Sequence, residues 1–204
     1  MDISQKILEI ADSLFHKYGI RSISMDEIAR ELSISKKTIY QYFKDKDDIV
    51  YQVTVRNIKL DKEEFEEVFQ SSKDAIDELL KISQCIRVKL KEINPSLLFD
   101  INKYHPRSWE LWIEYKNHFM KNHIFRSIER GMKEGFFRKD LNAEVLAKLR
   151  IEQVEMSFDE RVFPRTEFNF LEVQMALFDH FVHGLLTVKG QEIYENLTKS
   201  SVNV

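Results

Sequence analysis

The sequence is poor in residues that punctuate or staple a chain. Its 204 residues hold one cysteine, three prolines and five glycines. The single thiol, Cys85, excludes an internal disulfide framework and a cysteine-rich zinc site, and fits a reducing cytoplasm. So few prolines and glycines argue against a turn-rich sandwich or barrel and leave long helices as the alternative. No uncharged apolar run approaches the ~18 residues of a membrane span. The first ten residues carry Asp2, Lys6 and Glu9 where a secretory signal would be apolar. A cytoplasmic protein with no membrane partner is expected. Nor is there an excess of one charge: 31 Lys+Arg against 34 Asp+Glu give a net −3, so nucleic-acid affinity must be sought locally. What is present, 43% hydrophobic and 32% charged residues, is a globular composition.

Catalytic and metal patterns are also missing. The chain has no H-E-x-x-H, no G-x-S-x-G elbow and no glycine-rich phosphate loop. His180 and His183, beside Asp179, and the pair Glu114 and His118 each offer two metal ligands, where a site needs at least a third. The expectation is no enzyme, no catalytic residue, no metal and no cofactor.

Hydrophobic spacing predicts helices nearly throughout. Ile3, Ile7, Ile10, Ala11, Leu14 and Tyr18 form one stripe over 3–17, with Gly19 as the stop. Ser24 and Glu27 form a capping box before a second short helix, and Ser35 can cap a third over 36–43. The three residues between these two helices force a large crossing angle, the helix-turn-helix arrangement. Asp45 and Asp48 mark the start of a long helix to about residue 70. Further helices are predicted at 74–93, 96–104, 107–133, 143–159 and 168–188, and a short one near 191–198, with breaks at Asn94-Pro95 and His105-Pro106.

Between Arg30 and Lys46 five cations face two anions, a local +3. Lysine can pair with phosphate or guanine edges, Gln41 with adenine, and the hydroxyls of Thr38, Tyr40 and Tyr42 with phosphate oxygens. The amides at Lys36 and Lys37 open the third helix and can meet a phosphate. A solvated basic helix with its tyrosines on the core would look similar from charge alone.

The ordered motifs go further. Ala11, Leu14-Phe15 and Tyr18-Gly19, then Ser24 to Ala29, Leu32 to Ser35, Thr38 to Phe43 and Lys46 to Ile49 together resemble the DNA-binding domain of TetR/AcrR-family transcriptional regulators. The resemblance covers residues 7–50. It implies an all-α protein, with a helix-turn-helix domain over 1–47 and a helical effector-binding and dimerisation domain over 48–204. It implies that the third helix enters the major groove, that Thr38, Tyr40, Tyr42 and Lys46 contact the DNA backbone, and that Lys36, Lys37 and Gln41 read bases. With Ser35 these residues form the candidate DNA-binding set. Lys37 departs from the family, which often has a small residue there, so a relative's operator cannot be copied.

The larger domain shows aromatic density. Trp109, Trp112, Tyr115 and Phe119, with His105 and His118 as polar handles, are candidates for an effector pocket, although aromatic stripes also fill ordinary cores. Helices 143–158 and 168–186 are broadly apolar, which predicts burial on two sides and a homodimer seam through Leu146, Leu149, Gln153, Leu177, Phe178, Phe181 and Leu185. A single larger core is the alternative. The function expected is a ligand-responsive regulator, a repressor released from a near-palindromic double-stranded DNA operator by a small apolar or aromatic effector. Control by a protein partner or by no effector, or a helical enzyme or carrier, are the other possibilities.

Overall fold

The computed structural model describes residues 2–91 and 93–202, with side chains as far as residue 198. The described residues are 76% helical, with no strand among them. Among the described residues the helices run α1 (Ile3–Tyr18), α2 (Met25–Glu31), α3 (Lys36–Ile39), α4 (Lys46–Ser71), α5 (Ala75–Lys91), α6 (Leu97–Tyr104), α7 (Pro106–Glu114), α8 (Lys121–Glu134), α9 (Ala143–Met156), α10 (Phe170–Leu185) and α11 (Val188–Val202). A π-helical segment, Tyr115–Met120, joins α7 to α8 without a break. No helix of the described residues is long and apolar enough to cross a membrane.

The chain forms two compact units. The first contains residues 1–61 together with 92–115, and the second residues 62–91 together with 116–204. The predicted helix-turn-helix span, 1–47, lies wholly within the first.

In the first unit the stripe of α1 delivers Ile7, Ala11 and Phe15 to a core shared with Ile28, Ala29, Ile39, Phe43, Ile49 and Val53. Ile101 of α6 joins that core and Trp109 of α7 packs against it. Two polar contacts fix α6 here. The Asn94 amide donates to the His16 carbonyl at 2.6 Å, and the buried Asp100 carboxylate accepts from the Arg21 amide at 3.1 Å. Gly19 takes φ 79°, which L side chains rarely adopt, and so ends α1 beside them.

In the second unit α5 packs against α8, α10 and α11, and α9 packs against α8 and α10. Its core joins Ile76 and Leu79 to Ile128, Phe137, Ala147, Phe178, Phe181, Val182 and Leu185. Phe137 lies flat on α8 because residue 131 is glycine: a Cβ there would come within 2.2 Å of the ring. An isolated bridge between Phe137 and Leu186 ties the turn after α8 to the end of α10.

Candidate functional site

The helix-turn-helix is built by local capping. Ser24 accepts from the Glu27 amide at 3.2 Å while the Glu27 carboxylate accepts from the Ser24 amide at 2.7 Å, which starts α2 sharply. The turn after α2 passes through Ser33 at φ 54°, the single positive φ of a non-glycine residue among those described. Ser35 then accepts from the Thr38 amide at 3.0 Å and starts α3. The predicted helix 36–43 is helical only to Ile39, and 40–42 are turns. The cause is the need to turn Phe43 inward, where it is buried, and to begin α4 within a few residues. There the Asp45 carboxylate accepts from the Asp48 amide at 2.9 Å and Asp48 accepts from the Lys44 amide at 3.1 Å.

This packing leaves one polar face outside. Lys36, Lys37, Gln41 and Lys44 are exposed, and Tyr40 and Tyr42 are 49% and 45% exposed. Lys36 pairs with Asp26 of α2 at 2.9 Å. Lys37, Lys44 and Lys46 have no side-chain ion pair or hydrogen bond among the described residues. Lys46 is half-buried at the start of α4, the positive end of a helix. Burial pushes its ammonium below the ordinary lysine range, while the Asp100 and Glu27 carboxylates oppose that shift. Three unpaired cations thus flank the turn and its two exposed phenols, an arrangement suited to a phosphate backbone.

The first turn of α4 is also tied to α7. Asp47 Oδ1 lies 2.7 Å from Nδ1 of the buried His105, which stands immediately before Pro106. Farther along α4, Arg56 pairs with Glu9 of α1 at 3.4 Å.

The second unit holds a cavity of about 90 Å³ that is partly open to solvent. Leu79, Ile82 and Ile86 of α5, Ile124 and Ile128 of α8, Val154 of α9 and Phe178, Phe181 and Leu185 of α10 give it an apolar wall. Its polar lining is Ser127, His123 and Arg150. Ser127 donates to the buried Glu78 carboxylate, which Arg130 also approaches at 3.4 Å. Neither ring nitrogen of His123 has a hydrogen bond, and the Glu78 carboxylate stands 3.8 Å from Nε2. The imidazole sits among Phe65, Phe69 and Phe119, with ring centroids 5.5–6.0 Å away. Burial, helped by the Arg126 charge, pushes His123 down to about 4, so the ring is neutral near pH 7.

Arg150 is only 4% exposed. Its guanidinium faces the Phe178 and Phe181 rings at 5.3 and 5.8 Å, and Nη1 has no hydrogen-bond partner. No carboxylate pairs with it among the described residues. Burial alone pushes it down to about 10, so it still carries its charge at neutral pH. A shallower, open depression bordered by Lys62, Glu66 and Gln70 of α4 also reaches Phe119, but its rim is charged and solvated.

Residues 7–53 match the family of bacterial regulatory proteins called the tetR family. The N-terminal domain of this chain is thus similar to that of tetR-family regulators. An HTH-type transcriptional regulator of Staphylococcus aureus is 35% identical over 94 residues, 46% of this chain and 50% of that protein. The match thus spans about half the length of such curated relatives. Among solved structures, a transcriptional regulator from Saccharomonospora viridis in complex with choline is similar in fold, with a TM-score of 0.72 at 21% identity, covering 90% of this chain and 97% of that one. Reduced NemR from E. coli is similar with a TM-score of 0.74 at 13% identity, covering 92% and 98%. At these identities the likenesses show a shared fold.

The candidate DNA-binding residues gather around α3 and the start of α4. The expected effector set does not assemble. His105, Trp109, Trp112 and Tyr115 belong to the first unit, where His105 is hydrogen-bonded to Asp47 and Trp109 packs against the helix-turn-helix core. His118 is exposed, and of the six only Phe119 lines this cavity. The residues expected at the dimer seam divide into two sets. Phe178, Phe181 and Leu185 are buried in the second unit's own core, because α5 and α9 already cover that side of α10. Leu149 remains 48% exposed, whereas Leu146, Gln153 and Leu177 are half-buried.

The sequence reading did not single out His123 and Arg150. A signal for Arg150 existed: it continues the stripe of Ala143, Ala147, Ile151 and Val154, so a cation stands on an apolar helix face. For His123 the sequence carries no such signal.

Proposed function

We propose that this protein is a DNA-binding transcription regulator, a repressor that acts as a homodimer on a near-palindromic operator and is released by a small effector held in the second unit. The observation that carries this is the face around α3. Its unpaired Lys37, Lys44 and Lys46 and exposed Tyr40 and Tyr42 surround a helix-turn-helix that matches the tetR family. Lys37 and Gln41 read bases. Thr38, Tyr40, Tyr42 and Lys46 hold phosphates, and Ser35 shapes the helix that presents them.

One such helix covers only a few base pairs, so two copies about one DNA turn apart supply the affinity. The second copy docks through the outward side of α9, where Val145 and Leu149 are exposed and the buried Gln153 Oε1 lacks a hydrogen-bond partner.

Release runs along the covalent chain. An occupant of the cavity meets Phe119, Met120 and His123, which stand where the π-helical segment enters α8. That segment continues α7, and α7 begins at His105, hydrogen-bonded to Asp47 at the start of α4. An effector that prefers one arrangement of this path moves Lys46 and α3 relative to their phosphates. A ligand that bound both arrangements equally would release nothing. The Saccharomonospora viridis relative holds choline, a cation. The buried charge in this chain's cavity is positive, so a different ligand charge is expected here.

The test is selection of bound fragments from random duplex DNA by the purified protein at two salt concentrations. The expected product is an inverted repeat whose recovery falls steeply with salt. Recovery of no sequence above background from protein freed of small molecules by unfolding and refolding would refute the proposal.

A further inference from the structure

The second-unit cavity is apolar on nearly every side, yet it contains a buried guanidinium with no counter-charge. An unpaired buried cation is costly unless something completes it. The carboxylate nearest the cavity, Glu78, is already engaged by Ser127 and Arg130. The two phenylalanine rings offset part of the cost of Arg150 through cation–π attraction, but they supply no acceptor for Nη1. The neutral imidazole of His123 carries one N–H and has nothing to donate it to. Two donors without acceptors therefore line one small apolar space.

We propose that this cavity takes a small amphiphile with a single carboxylate, whose oxygens pair with Arg150 and accept from His123 while its apolar body lies against Ile82, Ile86, Ile124 and Phe181. The planar guanidinium suits the two oxygens of a carboxylate. Leu79 and Phe178 complete an apolar enclosure that offers an alcohol of the same length an equal body fit and no charge pairing. A cation would meet Arg150 at close range without an intervening carboxylate. The inference rests on taking this cavity as the effector site, and it names the effector's chemistry.

The experiment is calorimetric titration of the full-length protein, unfolded and refolded to remove carried-over ligand, at neutral pH. The probes are the straight-chain carboxylates from propanoate to octanoate, the longer tails extending through the open side of the cavity, with the alcohols of the same lengths and octylamine. The expected result is that the best carboxylate binds at least ~tenfold more tightly than its alcohol, as a charge-assisted pair predicts, and that octylamine does not bind. In Arg150→Met the carboxylate falls to the affinity of the alcohol, with cooperative thermal unfolding as the check that the variant is folded. Arg150→Lys retains part of the preference. Equal affinity of carboxylate and alcohol, preference for the amine, binding of none of these probes, or an undiminished preference in Arg150→Met would each overturn the proposal. Displacement of the selected duplex by octanoate is read separately. Octanoate that binds through Arg150 and leaves DNA affinity unchanged overturns the effector role of the cavity, not its chemistry.

Discussion

Replacing Arg150 by methionine should stabilise the empty protein. Burial holds the guanidinium near 10, well below the ordinary arginine range, which corresponds to roughly 3 kcal/mol of penalty for the charged form. Cation–π attraction to Phe178 and Phe181, at 5.3 and 5.8 Å, returns about 1 kcal/mol for each ring. The remainder is a net cost of about 1 kcal/mol, which methionine removes while its flexible thioether fills the same space. The sign follows from the depressed value. The charged form is disfavoured in the folded state, so the penalty is whole at every pH below about 10 and fades as pH rises through that value. Neutral pH therefore shows it undiminished. For a chain of this size the gain amounts to ~2–4 °C in Tm, measured by circular dichroism on ligand-free protein. Saturating octanoate should narrow or reverse the difference, because it binds the protein that retains the guanidinium more tightly. A loss of about 1 kcal/mol or more in Arg150→Met without ligand would refute the reasoning, since it would mean the guanidinium is already satisfied.

Four other expectations test separate parts of the structure. Lys46→Ala should weaken binding to all duplex sequences alike and lower the salt slope by about one, as measured by fluorescence anisotropy; an unchanged slope would remove Lys46 from the interface. His123, held down to about 4, costs stability progressively as pH falls from its ordinary 6.5 toward that value, by roughly 2–3 kcal/mol at full extent. Glu78, pushed up by burial, works in the opposite direction, so the informative quantity is the difference between wild type and His123→Leu: the urea midpoints should diverge in favour of the variant as pH drops from 7.5 to 5. Gly131→Ala drives a methyl into Phe137 and should cost about 1–3 kcal/mol by urea denaturation, with Phe137→Leu in the same background recovering part of it. Leu149→Glu should shift the sedimenting species from dimer toward monomer without lowering the monomer's helical content.

The helix-turn-helix was legible because its signals are local. Ser24 and Glu27, or Asp45 and Asp48, cap within three residues of each other, and nothing distant can easily override them. The third helix was overextended because no residue in 40–43 forbids helix; it stops where Phe43 must reach the core, a tertiary demand. The span 107–133 was read as one helix, and the π-helical segment inside it has no sequence mark comparable to a proline or glycine. Aromatic density misled the pocket assignment, since Trp109 and Trp112 follow helical spacing whichever core they serve. Phe178, Phe181 and Leu185 were likewise visible as an apolar face, but only the packing of α5 and α9 shows that this chain covers it without a partner.

The pair between Lys36 and Asp26 has a consequence for counting charges. Lys36 carries its own counter-ion, a carboxylate on the neighbouring helix at 2.9 Å, in place of a diffuse anion from solution. If a phosphate takes Asp26's place, the lysine exchanges one fixed partner for another, and Asp26 is left to recruit a cation at the moment DNA gives one up. The salt dependence of binding then registers fewer positive groups than actually touch the duplex. A variant such as Asp26→Asn would raise the affinity and steepen the salt slope together, although residue 26 itself need touch no DNA.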